Sequence, residues 1–221
     1  MAIEELIFTD IFTQAAFFIV SFALLGAGIK YVDDAFDERT FSRKNALVIA
    51  VITAILWAWV MSIHPAAATI LGAVVIAVLL KGKVDNIAFQ IGVLAILGIM
   101  FVSGYFEFFL FPMAIIAIAG IADELGNDYV DKHPKINIWI YYFFEYRFVM
   151  KLAVALFAFL ETYSWIFFFA FVAFDIAYAG VTHYSLYLKN LRKFHFNGKG
   201  NNVNGNGKSP VNNNGFHQVL K

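Results

Sequence analysis

The chain has 221 residues, of which 61% are hydrophobic, 18% aromatic and only 14% charged. This balance is too apolar for an ordinary soluble domain, and the net charge of zero gives no reason to expect nucleic-acid binding. Because there is no cysteine, disulfides, thiolate metal sites and cysteine nucleophiles are excluded. The composition predicts an all-α, polytopic bundle of transmembrane helices in contact with membrane lipids.

The first ten residues carry three acidic side chains and no lysine or arginine. A cleavable signal peptide needs a basic segment here, so we expect the first apolar run to remain in the mature protein. Seven apolar runs in the sequence are candidates to span a hydrocarbon core about 30 Å thick. In chain order they cover residues 11–30, 46–63, 66–80, 87–103, 108–122, 138–160 and 163–188.

The sixteen lysine and arginine residues indicate how these spans are oriented. Only Arg147 and Lys151 fall inside a predicted span, and the other fourteen lie on one side of a seven-span topology. By the positive-inside rule that side is cytoplasmic, which places the N-terminus outside and the C-terminus in the cytoplasm. An even number of spans would instead distribute the basic residues over both sides.

The end of the sequence, FNGKGNNVNGNGKSPVNNNGFHQVLK, is dominated by Asn and Gly. Such a segment buries too little apolar surface to offset the entropy lost on ordering. The sequence therefore predicts a transmembrane domain over residues 1–195 and a disordered cytoplasmic tail over residues 196–221.

Two acidic clusters follow the first and the fifth predicted spans, where we expect Asp-rich cytoplasmic loops. The stretch YVDDAFDERTF contains Asp33, Asp34 and Asp37, and the stretch NDYVDKHPK contains Asp128 and Asp131. Carboxylates three or four residues apart lie on one face of a helix and repel each other, so each cluster favours a hard divalent cation. Mg²⁺ is the natural candidate, because it takes one or two carboxylates and completes its shell with water and phosphate oxygens. Two facing clusters would clamp a diphosphate at the cytoplasmic surface, with an attached lipid tail between the spans.

With four spans between two similar acidic motifs of the same orientation, the chain resembles the UbiA-type superfamily of intramembrane prenyltransferases. Asp33, Asp34 and Asp37 stand where that family's Asn-Asp-x-x-Asp-x-x-x-Asp motif begins. Its second Asp-rich motif would correspond to Asn127, Asp128 and Asp131, with Asp123 and Glu124 ahead of them. The chain departs from the family in its first motif, where Asp33 replaces the usual Asn and Phe41 stands at the position of the last acid. It also has seven predicted helices, where the family usually has nine.

The resemblance implies a Mg²⁺-dependent transfer of a prenyl group from a polyprenyl diphosphate to an acceptor that the sequence does not identify. It assigns catalytic roles to Asp34, Asp37, Asp128 and Asp131. The same four carboxylates, together with Asp33, would be the metal ligands.

Three charged residues in the last two predicted spans are candidates for substrate binding. Arg147 and Lys151 are four residues apart and would face the diphosphate from one side of a helix. The alternative is that both extend toward the lipid head groups or pair with Glu145. Asp175 has to face the bundle interior, since an ionised carboxylate at the bilayer centre costs about 3 kcal/mol on insertion scales. In the interior, Asp175 would bind substrate or a cation, or it would form a hydrogen bond with a neighbouring helix.

Two other functions are compatible with the same residues. In a transporter or channel for cations or small solutes, the acidic clusters would form a cytoplasmic vestibule and Asp175 or Glu145 would lie on the permeation path. In a noncatalytic subunit of a larger complex, the acidic segments would bind a basic protein partner. The sequence does not exclude either function.

Overall fold

The computed structural model describes residues 10–82, 87–104, 107–133 and 135–200. These residues form helices and connecting turns, with no strand among them. Numbered in chain order, the helices are α1 (Ile11–Phe36), α2 (Arg43–Ile63), α3 (Pro65–Leu80), α4 (Ile87–Ser103), α5 (Leu110–Lys132), α6 (Ile138–Glu145), α7 (Phe148–Phe159) and α8 (Trp165–Gly200).

Four of these helices, α1, α2, α5 and α8, are long and apolar enough to cross a membrane. The helices α3, α4 and α7 are apolar but shorter. Each of the four long helices also exposes large apolar side chains, among them Leu24, Ile52, Ile118 and Ile176. Such side chains need an apolar surrounding, and the chain is therefore an integral membrane protein.

Two helices continue beyond the spans predicted from hydropathy. Helix α1 extends to Phe36 and α5 to Lys132, so both acidic clusters begin within helices and not on loops. The expectation of Asp-rich loops is corrected here, because adding a residue to an existing helix needs no new nucleation. The same argument applies to α8, which continues to Gly200 and so includes the first five residues of the segment predicted as disordered. The rest of that segment lies outside the described residues.

The predicted sixth span, 138–160, is wrong as a continuous helix. Helix α6 ends at Glu145, and α7 begins at Phe148 after a turn in which Arg147 has a left-handed backbone, with φ 51°. The local sequence contains no glycine or proline that would announce a break. The break is stabilised from outside, by a side chain of α5 described below.

The core lies where α1 and α8 approach each other between α2, α3, α5 and α7. Phe18 and Phe22 of α1 and Phe167 of α8 are fully or almost fully buried in it. At Gly26 of α1, an added Cβ would lie 2.1 Å from the carbonyl oxygen of Phe174 in α8. A residue without a side chain is therefore required for this close contact between helices.

The turn between α2 and α3 is formed by His64 and Pro65. The Nδ1 atom of His64 accepts a hydrogen bond of 2.9 Å from the amide of Ala66, so this side chain caps α3. Its ring packs against Phe18 and Phe167, with centroid distances of 5.9 and 4.3 Å. Burial lowers the pKa of His64 from 6.5 to about 4, because the charged imidazolium is disfavoured there.

We expect acidification to destabilise the protein through His64. Between pH 6.5 and 4 the unfolded chain binds a proton at this residue that the folded protein does not, so stability falls as the pH falls, by up to about 3 kcal/mol. The melting temperature in detergent, measured from pH 7.5 to pH 4, should decrease less in His64→Asn. Asparagine keeps an acceptor for the amide of Ala66 but does not titrate, so an unchanged pH profile in this variant would contradict the assignment.

Candidate functional site

A cavity of about 280 Å³ lies among the charged residues of α1, α5, α6, α7 and α8 and of the turn before α7. Its lining includes three cationic side chains and five carboxylic acids, an excess of two acids. The cations are Lys30, Arg147 and Lys151, and the acids are Asp33, Asp123, Glu124, Glu145 and Asp175. We call this space the charged cavity.

Lys30 binds the first acidic cluster. Its Nζ atom is 2.8 Å from Oδ2 of Asp33 and 3.0 Å from Oδ1 of Asp34. These residues are three and four positions apart in α1, so the helix itself brings the charges together. Asp34 is only 3% exposed, and the lysine supplies the charge compensation that a buried carboxylate requires.

Arg147 and Lys30 both interact with the ring of Tyr178 in α8. The guanidinium carbon of Arg147 lies 4.6 Å from the ring centroid, and Nζ of Lys30 lies 5.2 Å from it. Arg147 also binds Oε1 of Glu124 at 3.2 Å. Its ion-pair partner is thus an acid of α5, in place of the Glu145 considered from the sequence.

The third cation, Lys151 of α7, lies 2.6 Å from Oδ2 of Asp175 and also donates to the carbonyl oxygen of Tyr146. The carboxylate of Asp175, in the apolar part of α8, is therefore directed toward α7 and not toward lipid. The sequence placed Arg147 and Lys151 on one helix face. In the structure Arg147 precedes α7, and each cation pairs with an acid from a different helix.

Asp123 explains why the chain breaks before α7. Its two carboxylate oxygens accept hydrogen bonds from the amides of Val149, at 3.0 Å, and Met150, at 2.7 Å. These amides belong to the first turn of α7, where no intrahelical acceptor exists. A side chain that is 1% exposed thus caps a helix far away in sequence, and no local pattern predicts this.

Replacing Asp123 should destabilise the fold more than replacing a surface acid. Asp123→Ala leaves one buried and one partly buried amide without acceptors, and we expect a loss of about 3 kcal/mol. Asp128→Ala is the matched control, because its exposed ion pair is worth about 1 kcal/mol or less. Melting temperatures of the purified proteins measure the difference, and equal values for the two variants would contradict the capping role.

The structure separates the residues predicted to bind a metal. Asp33 lines the charged cavity, whereas Asp34 is buried against Lys30. Asp37 is exposed at the end of α1, and Asp128 and Asp131 are exposed in α5. Asp128 binds Lys81, with a separation of 2.9 Å. Among the described residues, no three or more histidines and acids are grouped so as to hold a metal ion.

The residue that opens the second motif does reach the cavity. Asn127 lines it together with Asp33, and the buried Oδ1 atom of Asn127 has no hydrogen-bond partner among the described residues. One carboxylate and one unpaired amide oxygen suit a hydrated Mg²⁺ that takes most of its ligands from water and a bound phosphate. Asp33 and Asn127 would be the residues to hold such a weakly bound ion, whereas the described residues do not form the clamp of five aspartates.

A second cavity, of about 140 Å³ and mostly apolar, adjoins the charged one. We call it the apolar cavity. The two share four lining residues, Asp33, Glu124, Arg147 and Tyr178. The remainder of the apolar cavity is formed by side chains of α1, α2, α3, α4 and α8, including Trp57, Val74, Phe89 and Phe174.

Sequence reasoning missed Lys30, Glu124 and Tyr178 as members of this site. Lys30 had a detectable signal, since it precedes two aspartates by three and four positions. Glu124 stands just ahead of the second acidic motif, but its pairing with Arg147 depends on contacts between distant helices, as does the role of Tyr178.

Comparison of the chain with protein-family models, curated proteins and solved structures finds no match. The resemblance to the UbiA-type superfamily stays a prediction from the motifs.

Proposed function

We propose that this protein binds an amphiphilic lipid diphosphate and acts on it as a prenyltransferase-like enzyme. The observation that carries the proposal is the shared wall between a charged and an apolar cavity inside a membrane protein. An amphiphile needs such a pair of neighbouring environments, with its head group in one and its chain in the other.

The charged cavity has groups for a diphosphate but also an excess of acids. Lys30, Arg147 and Lys151 provide donors and positive charge, and Arg147, which lines both cavities, would contact a head group whose chain enters the apolar cavity. Two surplus carboxylates repel an anion, so we expect binding to require Mg²⁺ as an additional positive charge. Asp33 and Asn127 would hold that ion, which would stabilise charge on the departing diphosphate.

In the proposed reaction, the bond between the allylic carbon and the diphosphate oxygen breaks, and the electron pair leaves with the diphosphate. An acceptor then forms a new bond to the allylic carbon and loses a proton. Arg147 and Lys30 would stabilise the leaving group, while the rings of Tyr178 and Phe174 would face the carbocation-like prenyl group. In this reaction, two of the many aromatic side chains, Tyr178 and Phe174, would take part directly.

Binding of geranylgeranyl diphosphate to the purified protein tests the proposal. With Mg²⁺, the diphosphate should raise the melting temperature by mass action, and Arg147→Gln should weaken binding about tenfold or more, because a charge-assisted contact is lost. Lys81→Gln is the control, since Lys81 pairs with Asp128 and does not line the charged cavity.

If Arg147→Gln does not fold, Lys151→Gln removes another cation of the charged cavity and should also weaken binding. Absence of any stabilisation of the native protein at saturating ligand, with and without Mg²⁺, would reject the proposal.

A pathway for cations is the second candidate, and the surplus of acids in the charged cavity favours it. Asp175 belongs to this cavity and lies within a long apolar helix. If cations pass there, Asp175→Asn should reduce flux into proteoliposomes severalfold, whereas Asp131→Asn, on the exposed end of α5, should leave it unchanged. Equal flux in the native protein and in Asp175→Asn would exclude this role.

A further inference from the structure

Helix α6 is docked on the bundle by one side only. None of its eight residues is buried, and all except Tyr141 and Phe144 are exposed. Phe144 lies against Gly126 of α5, where an added Cβ would overlap its ring. A helix of eight residues is about 12 Å long, so α6 is too short to cross a hydrocarbon core of about 30 Å by itself.

The contact with Gly126 places α6 beside the last two turns of α5. These turns carry the exposed charged residues Asp128, Asp131 and Lys132. Exposed charges are strongly unfavourable among lipid chains. This end of α5 therefore lies outside the hydrocarbon core, and α6 lies at the same level.

The length of α1 leads to the same level. From Ile11 to Lys30 this helix rises by about 28 Å, close to the thickness of the hydrocarbon core. Lys30 and Arg147, the residue directly before α7, both contact the ring of Tyr178. The break between α6 and α7 is thus at the edge of the hydrocarbon core, and α6 lies on the head-group side of it.

The exposed side chains of α6 suit that layer. Trp139 is 78% exposed, and Tyr142 of α6 and Tyr146, which follows the helix, are also exposed. Each combines a large apolar ring with an N–H or O–H group, and such side chains are enriched where lipid chains meet the head groups. A surface in contact with water alone would gain nothing from these rings.

This aromatic surface continues into the lipid-facing surface of α7. Phe143 of α6 stacks on Phe148, the first residue of α7, with centroids 5.6 Å apart. Phe148, Leu152 and Leu156 are all exposed and follow one another at intervals of four residues, so they share one face of α7. Going from α6 to α7, the exposed side chains change from rings with polar groups to pure hydrocarbon, as the bilayer does from its head groups inward.

We propose that α6 is an interfacial helix whose exposed face, formed by Trp139, Tyr142, Phe143 and the adjoining Tyr146, binds the phospholipid head-group layer. The rings pack against the upper acyl chains, and their N–H and O–H groups donate to ester and phosphate oxygens. The membrane surface thereby holds the segment that precedes the break at Arg147. This inference does not depend on the binding of a diphosphate.

Spin labelling measures the depth of α6 in the bilayer. The chain has no cysteine, so a single introduced cysteine can be labelled selectively. Tyr142→Cys is reconstituted in phosphatidylcholine vesicles, and collisions of its label with oxygen and with a water-soluble nickel chelate are compared by electron paramagnetic resonance. Oxygen concentrates among the lipid chains and the chelate in water, so a label in the head-group layer should collide with both.

Val20→Cys is the matched control. Val20 is an exposed residue of α1, about 14 Å from Ile11 and so near the middle of the hydrocarbon core. Its label should collide with the nickel chelate severalfold less often than the label of Tyr142→Cys. Equally rare nickel collisions in both variants would place α6 among the lipid chains. Nickel collisions at Tyr142→Cys as frequent as those of the free label in buffer would place α6 in water, and either result would overturn the proposal.

A second copy of the chain is the other occupant that this measurement detects. Spin–spin broadening at Tyr142→Cys that disappears on dilution with unlabelled protein would show that another copy covers α6, and would also overturn the proposal. Trp139→Cys, three residues earlier on the same face, gives the same readings if Tyr142→Cys does not fold. Binding of geranylgeranyl diphosphate to the native protein reports separately on the proposed function.

Discussion

Charged groups placed among apolar helices have to be compensated within the protein, and the region around Tyr178 depends on this requirement. Four helices bring a cation or its partner acid to the charged cavity, and each cation lies within 3.2 Å of a carboxylate. In a low-dielectric surrounding, loss of one partner leaves a buried charge without compensation, at a cost of several kcal/mol. The ion pairs of Arg147 and Lys151 therefore hold α7 against α5 and α8, and Lys30 joins α1 to α8 through the ring of Tyr178. The cavity follows from that arrangement.

The same compensation has a chemical consequence. A lining whose charges were all paired would gain no electrostatic stabilisation from a ligand. This lining holds two more acids than cations, and the amide oxygen of Asn127 has no partner among the described residues. A cation, or an anion together with a metal ion, would improve this balance. The adjoining apolar cavity supports the proposal of a ligand with a hydrocarbon portion, because an amphiphile would use both cavities and a free ion only the charged one.

Hydropathy and turn residues sufficed to place most of the helices. The predicted run 87–103 coincides with α4, and His64 and Pro65 mark the boundary of α2 and α3. The sequence did not reveal the break at Arg147, because its cause is the carboxylate of Asp123, a residue more than twenty positions earlier. The sequence also assigned too many aspartates to a metal site. Spacing shows which carboxylates share a helix face, but it does not show which of them a lysine binds. Pairing between helices is a tertiary property, and it decided the composition of the site.

The central claim is that one amphiphile occupies both cavities, and photocrosslinking tests it most directly. A geranylgeranyl diphosphate analogue with a diazirine at the end of its chain would be bound in the presence of Mg²⁺, irradiated, and located by mass spectrometry. The account predicts crosslinks to side chains of the apolar cavity, such as Val74 and Phe89, that excess unlabelled diphosphate removes. Crosslinks confined to exposed residues such as Ile52 and Ile176, or insensitive to the competitor, would contradict it.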